Sequence, residues 1–150
     1  MEYWDNFSSP LGNLVLRSDG LVLTGLAFSE RQEPEKPCPV FLPVKDWLSR
    51  YFAGLNPGPL PVELSPKGTA FQQRVWALLR DIPYGKRRTY GSLAKQISPS
   101  MSAQAVGGAV GKNPIAILIP CHRVLGAGER LTGYAWGLPR KQYLLDLEQK

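Results

Sequence analysis

Asn113 to Val124 reads NPIAILIPCHRV, and the expectations for the rest of the chain start from this segment. Its five consecutive apolar residues, Ile115 to Ile119, predict that the backbone enters the core of the protein. The run is far too short to span a bilayer. It is followed by Pro120 and the triplet Cys121-His122-Arg123. The segment therefore predicts a buried element that presents a cysteine beside two side chains able to carry positive charge.

The Cys121-His122 pair is suited to nucleophilic chemistry. A free cysteine has a pKa of about 8.5 and is mostly a thiol at neutral pH, so a base must help to form the reactive thiolate. His122 is the only histidine of the chain and can serve as that base, and Arg123 adds positive charge. The alternative is an inert cysteine in a buried strand, because free cysteines are often buried.

Neither a metal nor a cofactor is predicted from the residues. The chain has two cysteines, Cys38 and Cys121, and one histidine. A structural zinc site uses four ligands, usually Cys or His, so these three residues cannot complete one. Met1 to Pro10 lacks the basic start and apolar run of a secretory signal. We therefore expect a cytoplasmic protein with no membrane segment, in which a disulfide is not favoured.

Charge is distributed unevenly along the chain. Residues 1–63 contain five Lys or Arg against eight Asp or Glu, whereas residues 64–150 contain thirteen against four. A strongly basic half suggests that this part of the protein binds a polyanion, most often a nucleic acid. A solvated basic surface without a partner is the alternative that charge alone leaves open.

The basic half shows four helical patterns. Thr69 is a suitable N-cap for a helix that continues to Arg80. Tyr90 to Ile97 and Ser102 to Gly111 form two short helical patterns around a turn at Ser98-Pro99-Ser100, and the second consists almost entirely of small residues. Two short helices joined by a tight turn in a basic region predict a helix-turn-helix. Arg140 to Glu148 predicts a closing amphipathic helix.

The acidic half begins with strand patterns and continues with a helix. The predicted strands, which are separated by turn signals, are Tyr3–Ser8, Gly12–Ser18 and Leu21–Phe28. Glu30 to Pro39 is charged and proline-rich and predicts a loop, and Val44 to Ala53 has apolar residues at helical spacing. We place the boundary between an N-terminal domain, residues 1–65, and a C-terminal domain, residues 66–150, where the charge changes sign.

The Pro-Cys-His-Arg-Val core and the preceding Gly-Lys-Asn-Pro-Ile-Ala-Ile-Leu-Ile resemble the active-site signature of the O6-alkylguanine-DNA alkyltransferases. These enzymes are also called methylated-DNA–protein-cysteine methyltransferases, and the resemblance extends from about Phe71 to Glu148. It implies an α+β protein. In that protein an N-terminal antiparallel sheet with a helix, ribonuclease-H-like, supports a mainly helical, winged helix-turn-helix-like C-terminal half that binds DNA and accepts the alkyl group.

The resemblance also assigns catalytic roles. Cys121 would accept the alkyl group, and His122 would act as its base through a bridging water, with Glu148 orienting the imidazole. Asn113 would brace the turn that leads into the active-site strand, and Arg123 would be structural. Without the resemblance, Glu148 reads as a solvated residue on the last turn of a helix. The thioether product is stable, so each molecule would react once and need no cofactor.

A further set of residues would contact substrate and DNA. The second helix of the helix-turn-helix would enter the minor groove through small side chains, although small residues also suit tight helix packing. Tyr90 would help to rotate the nucleotide out of the duplex, or is an ordinary core aromatic. The small residues of the second helix that would approach the minor groove are Ala103, Ala105, Gly107, Gly108 and Ala109. The phosphate contacts would be Lys86, Arg87, Arg88, Lys95 and Lys112.

Two regions depart from the usual family pattern. Gln104 stands where most members have an arginine that fills the gap left by the flipped base, and glutamine is shorter and uncharged. In the pocket loop, Leu131 to Gly137, Ala135 stands where many members have serine and Trp136 replaces a common glycine. We expect Trp136 to narrow the pocket, so that methyl adducts react well and bulky adducts poorly. Tyr134 in the same loop and Val124 after the active-site triplet complete the predicted substrate contacts.

Direct repair of double-stranded DNA that contains O6-alkylguanine, by transfer of the alkyl group to Cys121 after base flipping, is the predicted function. O4-alkylthymine is a second candidate substrate. The main alternative is an alkyltransferase-like protein that flips the damaged base without repairing it, and a thiol-based regulator is a more distant one. We expect a monomer that works at the nucleoid.

Overall fold

The computed structural model describes residues 1–31 and 33–150, and Gln32, inside the predicted 30–39 loop, lies outside the described residues. The fold is mixed α/β, with an antiparallel three-stranded sheet and five α-helices in the described part of the chain. The strands are β1 (Tyr3–Ser9), β2 (Gly12–Ser18), β3 (Leu23–Phe28), β4 (Arg88–Thr89) and β5 (Val124–Leu125). The helices are α1 (Phe41–Phe52), α2 (Ala70–Arg80), α3 (Tyr90–Ile97), α4 (Ala103–Val110) and α5 (Leu138–Leu147).

The three predicted N-terminal strands are confirmed as the antiparallel sheet β1-β2-β3. β3 begins at Leu23, two residues later than predicted. The reason is the turn before it, in which the Asp19 side chain accepts hydrogen bonds from the N–H groups of Leu21 and Val22 at 2.8 and 3.1 Å. The turn keeps Leu21 in solvent, 84% exposed. Gly20, at φ +101°, supplies the left-handed conformation that the reversal requires.

α1 begins at Phe41, three residues before the predicted start at Val44. The prediction placed the start after Pro43, but proline is tolerated in a first helical turn because the N–H groups there have no intrahelical partner. The early start allows Phe41 to be buried on the same side as Val44 and Trp47. α5 also starts earlier than predicted, at Leu138, with a proline in its first turn.

The chain forms two compact units, residues 1–67 with 114–116 and residues 68–113 with 117–150. In the first unit, Pro114 and Ala116 exchange backbone hydrogen bonds with Leu26 of β3 at 3.0 and 2.7 Å. In the second unit, α4 packs against α2 and α3. None of the helices in the described ranges has the length and hydropathy that a bilayer crossing requires.

Capping side chains fix the starts of three helices in the second unit. Thr69 caps α2 as predicted, in a capping box with Gln72. Thr89 caps α3 in a second box with Ser92, and the Ser102 hydroxyl accepts from Ala105 N–H at the start of α4. Each cap satisfies a backbone N–H that the helix leaves without a partner. The caps hold α3 and α4 close to their predicted bounds, on either side of a five-residue turn.

The 113–124 segment is buried as predicted, but the active-site strand expected there is wrong. Ile115 forms an isolated bridge to Leu26 outside any named strand, and the following residues form turns. Ile117 has φ of +70°, a left-handed conformation that a strand does not contain and that a β-branched residue rarely adopts. The apolar run predicts burial but not the type of backbone structure, and here the buried backbone is irregular.

Candidate active site

Cys121 opens a short 3-10 turn, Cys121–Arg123, at the end of the irregular segment. Its side chain is 3% exposed, and its N–H donates to Ile119 O at 2.7 Å. Asn113 closes the segment from the other end, because its Nδ2 donates to the same Ile119 carbonyl at 2.8 Å and its side chain also hydrogen-bonds Cys121. The structure therefore brings the predicted acceptor and the predicted bracing residue together.

His122 and Glu148 form a buried pair. His122 Nε2 lies 2.6 Å from Glu148 Oε2, and both side chains are almost completely inaccessible. Burial lowers the pKa of His122 and outweighs the opposing effect of the Glu148 charge, so the imidazole is neutral at neutral pH. The Nε2 proton then donates to the carboxylate, which leaves Nδ1 with the lone pair that can accept a proton.

Glu148 is an anion held by several donors. Besides His122, it accepts from Arg123 Nε at 2.8 Å, Arg123 Nη2 at 3.1 Å and Gly85 N–H at 3.1 Å. Burial opposes its ionisation, but the hydrogen bonds from His122 and Arg123 and the positive charge of Arg123 hold the pKa of Glu148 well below its ordinary value. The alternative of a solvated glutamate on a last helical turn is wrong, because Glu148 is 5% exposed.

Gly85 matters to this arrangement through its backbone. It has φ of +78°, and a Cβ built on it would lie 3.3 Å from the Glu148 carbonyl oxygen. We expect Gly85→Ala to lower the free energy of unfolding by about 1–2 kcal/mol, since the left-handed conformation and the close contact both oppose a side chain. Urea unfolding measures this effect. Gly91→Ala is the control, because its Cβ would meet nothing within 4 Å; an equal loss in both variants would contradict the prediction.

Arg123 does not supply the positive charge that was expected to activate Cys121. Its guanidinium is buried against Glu148, and Nη1 donates to Ile82 O at 2.7 Å. The cation that acts on Cys121 is Lys141, whose charge lowers the thiol pKa, as does the hydrogen bond from Asn113. Burial outweighs both and raises the pKa of Cys121 to about 11. At rest the residue is therefore a thiol and needs a base to react.

Lys141 is the residue that sequence reasoning missed. Its side chain is fully buried in α5, and Nζ donates to the carbonyls of Thr132 and Gly133 at 2.7 and 2.9 Å. Burial lowers the pKa of Lys141 to about 8, while the Cys121 charge acts in the opposite direction. Helical spacing could have indicated the burial of Lys141. Residues 141, 144, 145 and 148 lie on one helical face and are all buried.

A cavity of about 100 Å³ lies at Cys121. It is lined by Tyr90, Gly107, Val110, Gly111, Cys121, Gly133, Tyr134 and Ala135. Four of the predicted contact residues therefore meet the predicted acceptor. The hydroxyl of Tyr90 donates to the carbonyls of Thr132 and Gly133 at 3.4 and 3.5 Å, so the same two carbonyls that bind Lys141 also hold this tyrosine.

Several other predicted contacts lie elsewhere. Trp136 is behind Tyr134, edge-on at 5.4 Å between ring centroids, and does not itself line the cavity, contrary to the expected direct narrowing. Arg123 and Val124 are buried away from it: Val124 pairs with Arg88 in the parallel ladder β4-β5. Neither side chain is a direct contact in this cavity, because one is engaged by Glu148 and the other by the core.

The exposed side of α4 carries most of the predicted groove residues. Ala103, Gln104, Ala105 and Gly108 are exposed, whereas Ala109 is buried and its carbonyl accepts from Trp76 Nε1 at 2.8 Å. Ala109 is therefore a packing residue, as the alternative for small residues proposed. Ala103 and Gln104 line a second, wider cavity of about 520 Å³ that shares Tyr90, Gly107 and Gly133 with the first.

The predicted phosphate contacts are basic side chains at the surface. Lys86, Arg88, Lys95 and Lys112 are exposed, and Arg87 is partly exposed. Arg87 and Arg88 line a shallow cavity of about 250 Å³ with Thr89 and Ser92 at the start of α3. Among the described residues, no cluster of three or more His, Cys, Asp or Glu side chains could hold a metal ion.

Known proteins resemble this chain over nearly all of its length. Residues 70–150 match the family described as 6-O-methylguanine DNA methyltransferase, DNA binding domain. A methylated-DNA–protein-cysteine methyltransferase of Haemophilus influenzae is 44% identical, over 98% of this chain and 86% of the relative. The protein of the same name from Mycobacterium tuberculosis is 48% identical, over 99% of this chain and 93% of the relative.

Solved structures agree with the sequence comparison. The crystal structure of Mycobacterium tuberculosis O6-methylguanine methyltransferase superposes with a TM-score of 0.88 at 45% identity, covering 99% of this chain and 93% of that one. A structure of the mycobacterial protein in complex with DNA gives a TM-score of 0.88 at 47% identity, covering 97% and 92%. With Cys121, His122 and Glu148 in the geometry described above, the chain belongs to the methylated-DNA–protein-cysteine methyltransferase family.

Proposed function

We propose that this protein repairs alkylated DNA by moving the alkyl group of O6-alkylguanine in double-stranded DNA onto the Cys121 thiolate. The observation that carries the proposal is a buried thiol at the wall of a small cavity, followed in the chain by a histidine that is hydrogen-bonded to a buried glutamate. O4-alkylthymine is a second candidate substrate. The protein acts as a monomer at the nucleoid and requires no cofactor.

The mechanism must first remove the proton of Cys121, because the buried thiol has a pKa of about 11. In our proposal His122 accepts this proton at Nδ1 through a bridging water, and Glu148 stabilises the resulting imidazolium. The charge of Lys141 and the hydrogen bond from Asn113 stabilise the thiolate. The sulfur then attacks the alkyl carbon and the bond from that carbon to O6 breaks. The thioether is stable, so one molecule repairs one lesion.

The base must leave the duplex to reach this thiol, because Cys121 is buried. We infer that α3, the turn at residues 98–102 and α4 form a helix-turn-helix whose α4 enters the minor groove, within a winged arrangement. The small exposed side chains of α4 support a close approach to DNA. Gln104 lines the wider cavity beside Ala103 and would occupy the gap in the duplex. We also propose that the N-terminal sheet and α1 have a ribonuclease-H-like fold.

The small cavity predicts a preference for small adducts. About 100 Å³ admits a methyl group more readily than a benzyl group, and Trp136 supports the Tyr134 wall from behind. We expect O6-methylguanine to react at least tenfold faster than O6-benzylguanine in otherwise identical duplexes, and Trp136→Gly to reduce this ratio. Single-turnover rates measure both effects. Equal rates for the two adducts in the wild-type protein would contradict the prediction.

Intact mass after incubation with a duplex containing one O6-methylguanine tests the function itself. The expected result is a gain of one methyl group that maps to Cys121 and is absent with undamaged DNA. Cys38→Ser is the matched control and should gain the same mass, because Cys38 lies outside the cavity. Specific binding to the damaged duplex without any mass gain would instead identify an alkyltransferase-like protein that flips the base and does not repair it.

A further inference from the structure

The hydroxyl of Tyr134 is a polar group that the mechanism above does not use. It is inaccessible to solvent and has no hydrogen-bond partner within the described ranges. Its ring is fixed against Trp136 and forms part of the wall of the Cys121 cavity. A buried hydroxyl without a partner lowers stability, so such a group calls for a specific explanation. A partner that arrives with the substrate provides one.

The other side chains around this cavity cannot take the same role. The Tyr90 hydroxyl donates to the carbonyls of Thr132 and Gly133, which also bind the Lys141 ammonium at 2.7 and 2.9 Å. Ala135 offers no polar side chain, and the same is true of the cavity residues Gly107, Val110, Gly111 and Gly133. Tyr134 is therefore the lining side chain, among those described, whose donor is not committed within the protein.

Alkyl transfer creates a negative charge that needs a donor. When the Cys121 sulfur bonds to the alkyl carbon, the bond from that carbon to O6 breaks and its electron pair stays on guanine. The negative charge is shared between O6 and N1 of guanine until guanine takes up a proton. This uptake balances the proton that His122 has removed from the Cys121 thiol. A fixed hydrogen-bond donor at O6 lowers the energy of this transition state because the charge develops where the donor points.

Resting on the proposed function, we propose that Tyr134 is a catalytic residue whose hydroxyl donates a hydrogen bond to O6 of the flipped guanine and stabilises it as the leaving group. Tyr134 keeps its own proton throughout. Burial raises the pKa of Tyr134 well above its ordinary value, and the Cys121 charge adds to the rise, so the hydroxyl remains a donor over the neutral range.

Tyr134→Phe tests this role because it removes one oxygen and keeps the ring against Trp136. We expect the single-turnover rate of methyl transfer from an O6-methylguanine duplex to fall about 10- to 100-fold at saturating DNA, with an unchanged Kd for that duplex. Alkylation of Cys121 by iodoacetamide should stay within twofold of wild type, because its leaving group is iodide. Tyr143→Phe, which removes a partly exposed hydroxyl from α5, is the matched control and should leave all three values unchanged.

A second substrate separates leaving-group stabilisation from a structural effect. In S6-methyl-6-thioguanine the leaving atom is sulfur, a weak hydrogen-bond acceptor, so the penalty of Tyr134→Phe should shrink to about threefold or less. The comparison is made within one protein preparation and is therefore insensitive to partial unfolding. A wild-type rate in the variant, or an equal loss with both substrates and with iodoacetamide, would overturn the inference. Failure of the wild-type protein to take up any methyl group would overturn the proposed function and this inference with it.

Discussion

Glu148→Gln should slow methyl transfer roughly 1000-fold and lower the free energy of unfolding by about 3 kcal/mol. Glutamine leaves the Arg123 guanidinium buried without its counter-charge, and it no longer stabilises the imidazolium that forms when His122 accepts the thiol proton. Arg123 donates two hydrogen bonds to this carboxylate, at 2.8 and 3.1 Å, and one to the Ile82 carbonyl. Single-turnover kinetics and urea unfolding measure the two losses separately.

The pH dependence of stability provides a further check on Glu148. Its pKa is lower in the folded protein than the ordinary 4.5, so the stability it contributes is present above about pH 4.5 and is lost as the pH falls below that value. The variant should lose less stability than wild type on acidification. Asp146→Asn is the matched control, because Asp146 is an exposed carboxylate on α5 that accepts from Gln142 at 2.8 Å. Similar effects of the two substitutions would rule out the proposed role of Glu148.

Lys141→Met should slow methyl transfer about 100-fold at neutral pH. The substitution removes the positive charge that lowers the pKa of Cys121, and it deprives the carbonyls of Thr132 and Gly133 of their shorter hydrogen bonds. Methionine has a similar length and no charge, so the packing of α5 is largely retained. The rate is measured at saturating duplex, which separates the chemical step from DNA binding.

A stability profile distinguishes the charge of Lys141 from its packing. The pKa of this lysine falls from an ordinary 10.5 to about 8 on folding. Below pH 8 the folded protein bears the cost of a buried cation, and this cost is relieved as the pH rises towards 10.5, on the order of 2 kcal/mol. Lys141→Met should abolish this rise, whereas the exposed-lysine control Lys67→Met should retain it. A wild-type transfer rate in Lys141→Met would exclude assistance from the charge.

Much of the fold could be predicted because local signals and burial agree. The Asp19-Gly20 turn, the Thr69 cap and the turn around Pro99 each have a local physical cause, so the hairpin strands and α2 to α4 lie within a few residues of their predicted positions. The Cys121–His122–Glu148 group was also identified, although on a resemblance to a family and not on spacing. A Cys-His dipeptide by itself does not distinguish a nucleophile from a buried thiol.

The remaining features depend on tertiary structure that no local pattern reports. The apolar run Ile115–Ile119 is compatible with a strand, and only the tertiary fold gives Ile117 its left-handed backbone. Lys141 reads as a surface residue by type, because lysine is seldom fully buried. Arg123 lies two residues after Cys121 in the sequence, yet the direction of its side chain is set by Glu148, which lies 25 residues later. Each difference arises where a side chain or backbone is fixed by distant partners.

The irregular path between Asn113 and Cys121 also bears on how this region can change during evolution. A β-strand can slip by two residues and keep the same face buried. Here the Asn113 side chain hydrogen-bonds both Ile119 and Cys121, and Ile117 between them has a left-handed backbone conformation. A shift of the chain by two residues would move Ile119 and Cys121 away from Asn113 and break both hydrogen bonds. The number of residues between Asn113 and Cys121 should therefore resist insertion and deletion more strongly than the identity of the apolar side chains resists exchange.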